Sequence, residues 1–470
     1  MNLWKKIGNI DIIGCGDAPA LTDALAADGI DAEARAALAE CLDVLARTRA
    51  RDVERRLYYD GEVDVKNIGI DTVPETVDVE VSCDWPRKAC TSVSERSRFD
   101  GYVFASGLPD PVLDGIVARN GIRSAYARFV NSELQHGCMS ATVAEVNGLA
   151  EVRFHSAETS SMVWDPTRER IAYGMAIAAA QRTEWSDGLV VPVKMNLYLT
   201  GRTVVLNRTG LTSWTAESVD TPLDRPAMES FAFRPTGSKP LGCSRITKPL
   251  MRATDAALRI LRDVQVACAM EAAPQKYALG LSTEQFMKLV KDKQAAYVGS
   301  MFLTTTDDNG NHPDFGQLPG ASLQNFADML SMWARQVSSM TGVPLSQLGV
   351  VSSNQYYEST ESLVMAAEDL NATNGESLRN VALMAMQMEG ELTDEQRGVM
   401  AHFKSPARPS IAAATDAMVK VGSQDTAIVG TDFYYEQLGY DRAEIARIQS
   451  ERLRNAGAID LAAILRGEET

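Results

Sequence analysis

Two helical patterns, separated by about fifty residues that continue neither of them, constrain this chain more than any other feature. From about Ser244 to Met270, the residues Ile246, Leu250, Ala253, Ala257, Leu261, Val264 and Cys268 recur at helical spacing. Arg252, Asp255, Arg259, Arg262 and Asp263 lie mostly elsewhere on the wheel. From about Ser322 to Met340, a second stripe is made by Leu323, Phe326, Ala327, Leu330, Ala334 and Val337, with Asp328 and Arg335 off it. Pro274 closes the first helix, and Gly342-Val343-Pro344 ends the second because proline disfavours helical geometry in the residue before it. A helix that is apolar along one stripe has to bury that stripe against something.

The unit between the helices reads as a small α/β module. Ser282-Thr283-Glu284-Gln285 has the capping-box pattern and opens a short helix to about Ala296, on which Lys288, Lys291 and Lys293 lie beside Asp292. Met301-Phe302-Leu303 followed by Asp307-Asp308-Asn309-Gly310 reads as a strand and a hairpin turn. Beyond the second helix, Leu345 to Tyr357 is polar, with Gly349 and few charges, and a third long helix starts near Ser359 or Thr360 and continues to about Met388, Gly375 being a candidate bend. A structureless connection of about a dozen residues between long helices is uncommon without a function, since its backbone groups must find water or partners.

The rest of the chain is mixed. Asp31 to about Leu57 is an amphipathic helix with Leu38, Leu42, Leu45 and Val53 on its apolar positions. Its end carries Arg47, Arg49, Arg51, Arg55 and Arg56, read either as a solvated face favoured by the negative end of the helix dipole or as a subunit or phosphate contact. Val77 to Val81 alternates like a short strand, and a helix is expected from Asp110 to about Asn131. Ala150 to His155, Arg170 to Ala178 and Val193 to Leu199 read as strands, with turn signals at Asp165-Pro166 and Ser186-Asp187-Gly188, so a mainly antiparallel sheet inserted among helices is the simplest account. Two further helices are expected near Thr393 to Phe403 and Asp441 to Asn455, the latter opened by the cap pair Asp441 and Glu444. The fold class is therefore α+β.

Composition narrows the function. With 45% hydrophobic and 23% charged residues over 470 positions, disordered, collagen-like and coiled-coil chains are excluded. Asp plus Glu number 62 against 46 Lys plus Arg, a formal charge of −16, so the surface as a whole is not the basic coat of ordinary DNA-binding proteins. Seven cysteines, an odd number with no C-x-x-C spacing, fit free thiols in a reducing compartment. No apolar run reaches the roughly 18 to 20 residues that span a bilayer, so no membrane association is expected. Asn9 and Asp11 interrupt the only apolar stretch near the start, which argues against a signal peptide.

Gly237-Ser238-Lys239 lacks the earlier glycine of a phosphate loop and is followed by Pro240. The four histidines have no metal-ligand spacing, and Gly242-Cys243-Ser244-Arg245-Ile246 misses the second glycine of a nucleophile elbow. No catalytic residue, metal ligand or cofactor is therefore expected, and the chain is not read as an enzyme.

The order of these parts resembles the portal proteins of tailed double-stranded DNA bacteriophages, over most of the chain. Tyr58-Tyr59-Asp60-Gly61 looks like that family's early helix end. Asp84-Trp85-Pro86-Arg87-Lys88 through Ser97-Arg98-Phe99-Asp100-Gly101-Tyr102 looks like the entry to its wing. Val163-Trp164-Asp165-Pro166, Ile171-Ala172-Tyr173 and Asn196-Leu197-Tyr198 are similar to the wing strands. Pro235 to Gly242 with Ser244-Arg245-Ile246 looks like the lead into the first stem helix. Gly342-Val343-Pro344, Leu348-Gly349 and Glu358-Ser359-Thr360-Glu361-Ser362 resemble the tunnel loop and the start of the helix behind it. The sequence departs from the family pattern at Cys83 and Cys90, and beyond about Leu392 little of it aligns.

The resemblance implies a mainly helical portal fold: a wing over 1–243, a first stem helix over 244–271, a clip over 272–320, a second stem helix over 321–341, a tunnel loop over 342–357, a long wing helix over 358–391 and a helical crown over 392–470. It further implies a homo-oligomeric ring of about twelve subunits at one capsid vertex of the virion, made in the host bacterial cytoplasm. Double-stranded DNA would be packaged and ejected through the ring, with Val350, Val351, Ser352, Ser353, Asn354, Gln355 and Tyr356 lining the channel and Lys288, Lys291 and Lys293 docking the motor or adaptor. The implied partners are the terminase large subunit, a head–tail adaptor, and the major capsid and scaffold proteins. The competing readings are another oligomeric phage head component, such as an adaptor or scaffold, and a DNA-processing enzyme.

Overall fold

The longest N-terminal helix shows how local signals set an element. Asp31 stands in extended backbone and accepts a hydrogen bond from the Ala34 amide at 2.8 Å, and Gly61, at a φ of +74°, stops the helix twenty-nine residues later. The computed structural model describes residues 19–66, 79–104, 110–182, 190–272, 276–279, 314–317, 323–349, 360–407, 411–440 and 444–454. The chain divides into two compact units, Met1–Lys404 and Ser405–Thr470.

In the first unit, α1 (Pro19–Thr22), α2 (Ala32–Asp60), α3 (Trp85–Ser94), β1 (Phe99–Val103), α4 (Pro111–Asn120) and α5 (Ile122–His136) precede a run of strands. These are β2 (Cys138–Val146), β3 (Leu149–Ser156), β4 (Ser160–Asp165), β5 (Arg170–Arg182), β6 (Val190–Leu199), β7 (Arg202–Arg208), β8 (Trp214–Asp220) and β9 (Met228–Ala232). Then come α6 (Lys248–Ala272), β10 (Lys276–Leu279), β11 (Asp314–Gln317), α7 (Leu323–Thr341), α8 (Glu361–Glu389), α9 (Asp394–Arg397) and β12 (Met400–Phe403). The second unit holds α10 (Ile411–Gln424), α11 (Asp432–Gln437) and helical residues 444–454.

Two antiparallel sheets carry the first unit. One has the order β4-β5-β6-β7-β8, and the other β3-β2-β9. On the five-stranded sheet, Met175, Met195, Leu197 and Leu206 face α2, whose Leu38, Cys41 and Leu42 close that core. The three-stranded sheet sits in the larger core, where Met139, Ala141 and Phe231 meet Val130 and Leu134 of α5 and Leu378, Val381 and Ala385 of α8. Each fully buried side chain of this kind contributes on the order of 2 kcal/mol. The β2–β3 hairpin turns through Asn147 and Gly148, both at positive φ, as a two-residue turn between twisted strands requires.

Four expectations need correction. The helix expected from Asp110 to Asn131 is two helices, α4 and α5, because Gly121 takes the left-handed conformation that caps α4. The Asn120 side chain then bonds the Ala150 carbonyl and accepts from the Val152 amide, both at 2.9 Å, sealing the edge of β3. Of the alternating stretch Val77 to Val81, the described residues 79–81 form no strand. Near Thr393 the capping box is present, yet the helix lasts one turn and Met400–Phe403 instead pairs antiparallel with β1. A cap specifies where a helix starts, whereas an open strand edge nearby decided how far it runs. The arginine cluster ending α2 is a solvated face only in part: Arg47 and Arg51 are exposed, whereas Arg49 is buried and the Arg55 side chain largely so. The helix expected over 282–296 and the hairpin over 301–310 lie outside the described residues.

A buried polar chain joins α5 to α8. Asn374 donates through Nδ2 to Glu133 at 2.7 Å and to the Tyr126 hydroxyl at 3.0 Å, and Tyr126 meets Ser97 at 2.7 Å. Glu133 is wholly buried, and burial pushes its carboxyl up to about 8, the Asn374 hydrogen bond acting in the opposite sense. The unfolded chain titrates this group near 4.5, so between that value and about 8 the folded chain holds the extra proton. Its contribution to stability is therefore fully present below pH 4.5, declines as pH rises and is gone above about pH 8. Glu133→Gln is expected to flatten this slope and to stabilise the protein by about 2 kcal/mol above pH 8, read as a higher melting temperature than the parent across a pH series. Glu229, pushed up to about 7 mainly by burial, titrates in both proteins and cancels in the comparison.

Candidate functional site: the helix pair and the root of the loop

The two amphipathic helices pack on each other as α6 and α7. Their burial is graded. In the lead and first turns of α6, Ile246, Leu250, Ala253 and Ala257 are buried, but Leu261 and Val264 are only half-buried and Cys268 is exposed. On α7 only Ala334 and Val337 are buried, while Leu323, Met329, Met332 and Met340 stand exposed. The root of the pair is thus part of the core. The far part of α6 and most of α7 leave apolar surface uncovered within one chain.

The first helix starts later than its periodicity suggested, at Lys248, because residues 244–247 are spent on anchoring. Ser244 donates to the Gln135 carbonyl and accepts from the Ile246 amide at 2.9 Å, and the Arg245 amide donates to the Leu134 carbonyl at 2.8 Å. The Arg245 guanidinium runs into the interior and donates to the Ala89 carbonyl of α3 and to the Thr341 carbonyl in the last turn of α7. Burial lowers its pKa to about 10, which leaves it charged at neutral pH. A cation there is favoured by the negative end of α7. One side chain consequently fixes the roots of both long helices against α3. Further along α6, Asp255 accepts from the Tyr58 hydroxyl of α2 at 2.7 Å and lies 3.5 Å from Lys66 Nζ. Burial is the main cause that raises the Tyr58 pKa.

The connection after α7 is rooted at the same place. Gly342 turns the chain at a φ of +72°, and a Cβ there would lie 2.6 Å from Ser362 Oγ, so only glycine fits. Ser362 donates to the Gly342 carbonyl at 3.3 Å. The end of α7 and the first turn of α8 are therefore in direct contact. Leu345–Leu348 is a turn of 3-10 helix, not open loop as expected, and Leu348 is buried with its carbonyl accepting from Trp85 Nε1 of α3 at 3.2 Å. α3 thus holds the helix pair through Ala89 and the loop root through Trp85.

Val350, Val351, Ser352, Ser353, Asn354, Gln355 and Tyr356 lie outside the described residues, as do Lys288, Lys291 and Lys293. The structure places the frame from which both sets depart: Gly349 and Thr360 for the first, and the antiparallel pair β10–β11 within the second segment. Sequence reasoning missed Arg245 and Trp85 as anchors. Both had been noted as parts of motifs, but only a buried, carboxylate-free arginine reveals the anchoring role.

No family model matches the chain. Two curated relatives do, and both are named as the portal protein of a bacteriophage. The chain is 27% identical over 213 residues to the one from Mycobacterium phage D29, covering 43% of each protein, and 26% identical over 223 residues to the one from Mycobacterium phage L5, covering 45% of each. The chain thus matches less than half the length of these relatives. Among solved structures, it is similar to a chain from the virion of a native gene transfer agent particle, with a TM-score of 0.43 at 14% identity, covering 76% of this chain and 89% of that one. A chain from the neck of the native particle, computed with C12 symmetry, has a TM-score of 0.42, again at 14% identity, with 75% and 88% covered.

Replacing Arg245 by alanine removes the guanidinium that bridges the Ala89 and Thr341 carbonyls, and is expected to cost about 3 kcal/mol in urea unfolding. Arg245→Lys, which reaches one carbonyl at most, should recover part of that loss. Amide hydrogen exchange over Leu345–Leu348 should speed up in the alanine variant if α3 couples the two roots.

Proposed function

We propose that this chain is the subunit of a phage portal ring, a non-catalytic conduit through which double-stranded DNA is packaged and later ejected. The observation that carries this reading is the exposed apolar face of α7. A helix that leaves Met329 and Met332, neighbours on one face at i and i+3, in water within one chain is covered once copies assemble, and contacts between unlike faces that close on themselves generate rings. The curated portal relatives support the same reading over the segments they match. In this reading residues 1–243 form the wing, α6 and α7 the stem, 272–320 the clip, 342–357 the tunnel loop, α8 the wing helix behind it, and 392–470 the crown. About twelve copies form the ring at a capsid vertex of the virion, assembled in the host cytoplasm.

A conduit must not hold DNA tightly, because each phosphate neutralised by a lysine or arginine adds salt-dependent affinity and slows sliding. A chain of charge −16 whose loop offers Ser352, Ser353, Asn354 and Gln355 meets that requirement, repelling the duplex broadly and touching it through neutral groups. Lys288, Lys291 and Lys293 of the clip are the proposed contact for the terminase large subunit and then for the head–tail adaptor. Scaffold and major capsid proteins are the proposed neighbours of the wing.

The purified chain is expected to form closed rings in electron micrographs. Met329→Asp with Met332→Asp should shift it to the 51.1 kDa monomer in light scattering while leaving its circular dichroism unchanged. A parent chain that stays monomeric at high concentration would sink the ring. Asn354→Lys with Gln355→Lys should slow DNA passage, more so at low salt, without dissociating the ring. Unchanged packaging by such rings would place the loop away from the duplex.

A further inference from the structure

The proposed ring and loop assign no role to the arginines that end α2. Most are spent internally: Arg47 pairs with Asp43 at 2.6 Å, Arg56 pairs with Glu158 at 3.0 Å, and Arg55 donates to the His136 carbonyl at 2.6 Å. Arg51 is different. Its side chain is half-exposed and, among the described residues, pairs with Asp52 alone, at 3.4 Å, a buried carboxylate that already serves Arg55 at 3.4 Å and faces His136 at 3.8 Å.

Arg51 stands on the wall of a cavity of about 750 Å³, bounded by α2, the β3–β4 corner and the lead into α6. Val44, Met162, Leu241, Ile246 and Met251 make much of its lining apolar. Lys239 and Lys248 join Arg51 on the wall, both residues exposed and, among the described residues, neither paired with a carboxylate; with Arg55 they outnumber the two carboxylates of the lining, Asp52 and the exposed Glu54. The positive end of α6 opens at the same place, since Thr247 and Lys248 line it. Inside, His136 Nδ1 is buried and, among the described residues, has no partner within hydrogen-bond distance, the Asp52 carboxylate standing 3.8 Å away. A concave site of this size, apolar with a few converging polar groups, has the make-up of a binding site. Its cationic side is set in a chain of charge −16.

We propose that this cavity docks an acidic peptide segment of a partner protein, seating a large apolar side chain on Met162 and Leu241 and its carboxylates on Arg51, Lys239 and Lys248. The apolar wall argues against a DNA backbone, which is met by cationic and polar groups and has no use for buried methionine and leucine. The proposal stands independently of the ring.

The test is fluorescence anisotropy on the full chain, with a labelled eight-residue peptide carrying two leucines flanked by glutamates. Saturable binding that weakens with added salt is expected. Arg51→Glu with Lys239→Glu and Lys248→Glu should weaken it at least tenfold, and so should Thr48→Trp, which fills the cavity without changing charge. Melting curves establish that both variants fold. On the parent chain, a control peptide with lysine for glutamate should not bind, and one with alanine for leucine should bind at least tenfold more weakly. No saturable binding, equal binding of either control, or binding unchanged in the two variants would overturn the proposal. So would displacement of the peptide by a short DNA duplex, which would make this a phosphate site. Loss of self-association in the charge-reversed chain would instead identify a second copy as the occupant, and the proposal would again fall.

Discussion

A single buried guanidinium organises the half of this protein that matters for its proposed role. Among the described residues Arg245 has no carboxylate partner; its planar fork donates to backbone carbonyls of α3 and α7. Removing a charge from water is expensive, and carbonyl dipoles repay the cost only when several are fixed in place. The requirement works in both directions. The arginine needs the end of α7 and the body of α3 where they are, and those elements are held there by it. The late start of α6, the burial of Leu348 at the end of the 3-10 turn and the Trp85 bond to its carbonyl all belong to the same anchoring.

This construction separates a rigid root from exposed extremities. Near the root, small residues such as Ala253, Ala257 and Ala334 allow close approach, and the apolar stripe is used up within the chain. Away from it, Met329 and Met332 of α7 remain in water, on a face beside that stripe. Methionine suits a face covered by another molecule, since its flexible thioether fills irregular gaps. The exposed methionines and the two curated portal relatives are independent supports for the proposed ring.

Electrostatics divides the molecule in the same way. The chain is acidic overall, yet its interior keeps charge where geometry can compensate it or where protonation removes it, as at Glu133. The arginines of α2 illustrate why a charge run cannot be interpreted from composition alone. Arg47 is a surface partner at 2.6 Å from Asp43, Arg49 is buried two residues later, and Arg51 faces a cavity. Helical geometry turns successive positions through about 100°, so neighbours in sequence answer to different environments.

Much of the architecture was legible before any coordinates. The stripes of α6 and α7, the start of α2 near Asp31, the strands around Ile171 and Leu197 and the long helix ending at Glu389 are local patterns, and local patterns carry their own physics of periodicity. What the sequence could not determine depended on a partner distant in the chain. Gly121 splitting α4 from α5 was visible as a residue but not as a decision, because it is the capture of Ala150 and Val152 by Asn120 that makes the break worthwhile. Met400–Phe403 became a strand because β1 offered an edge three hundred residues earlier in the chain. Arg245 looked like one letter of a turn motif until α3 and α7 closed around it. Periodicity and caps are written within a few residues of where they act, whereas strand pairing, buried charge and cavities exist only once distant segments meet.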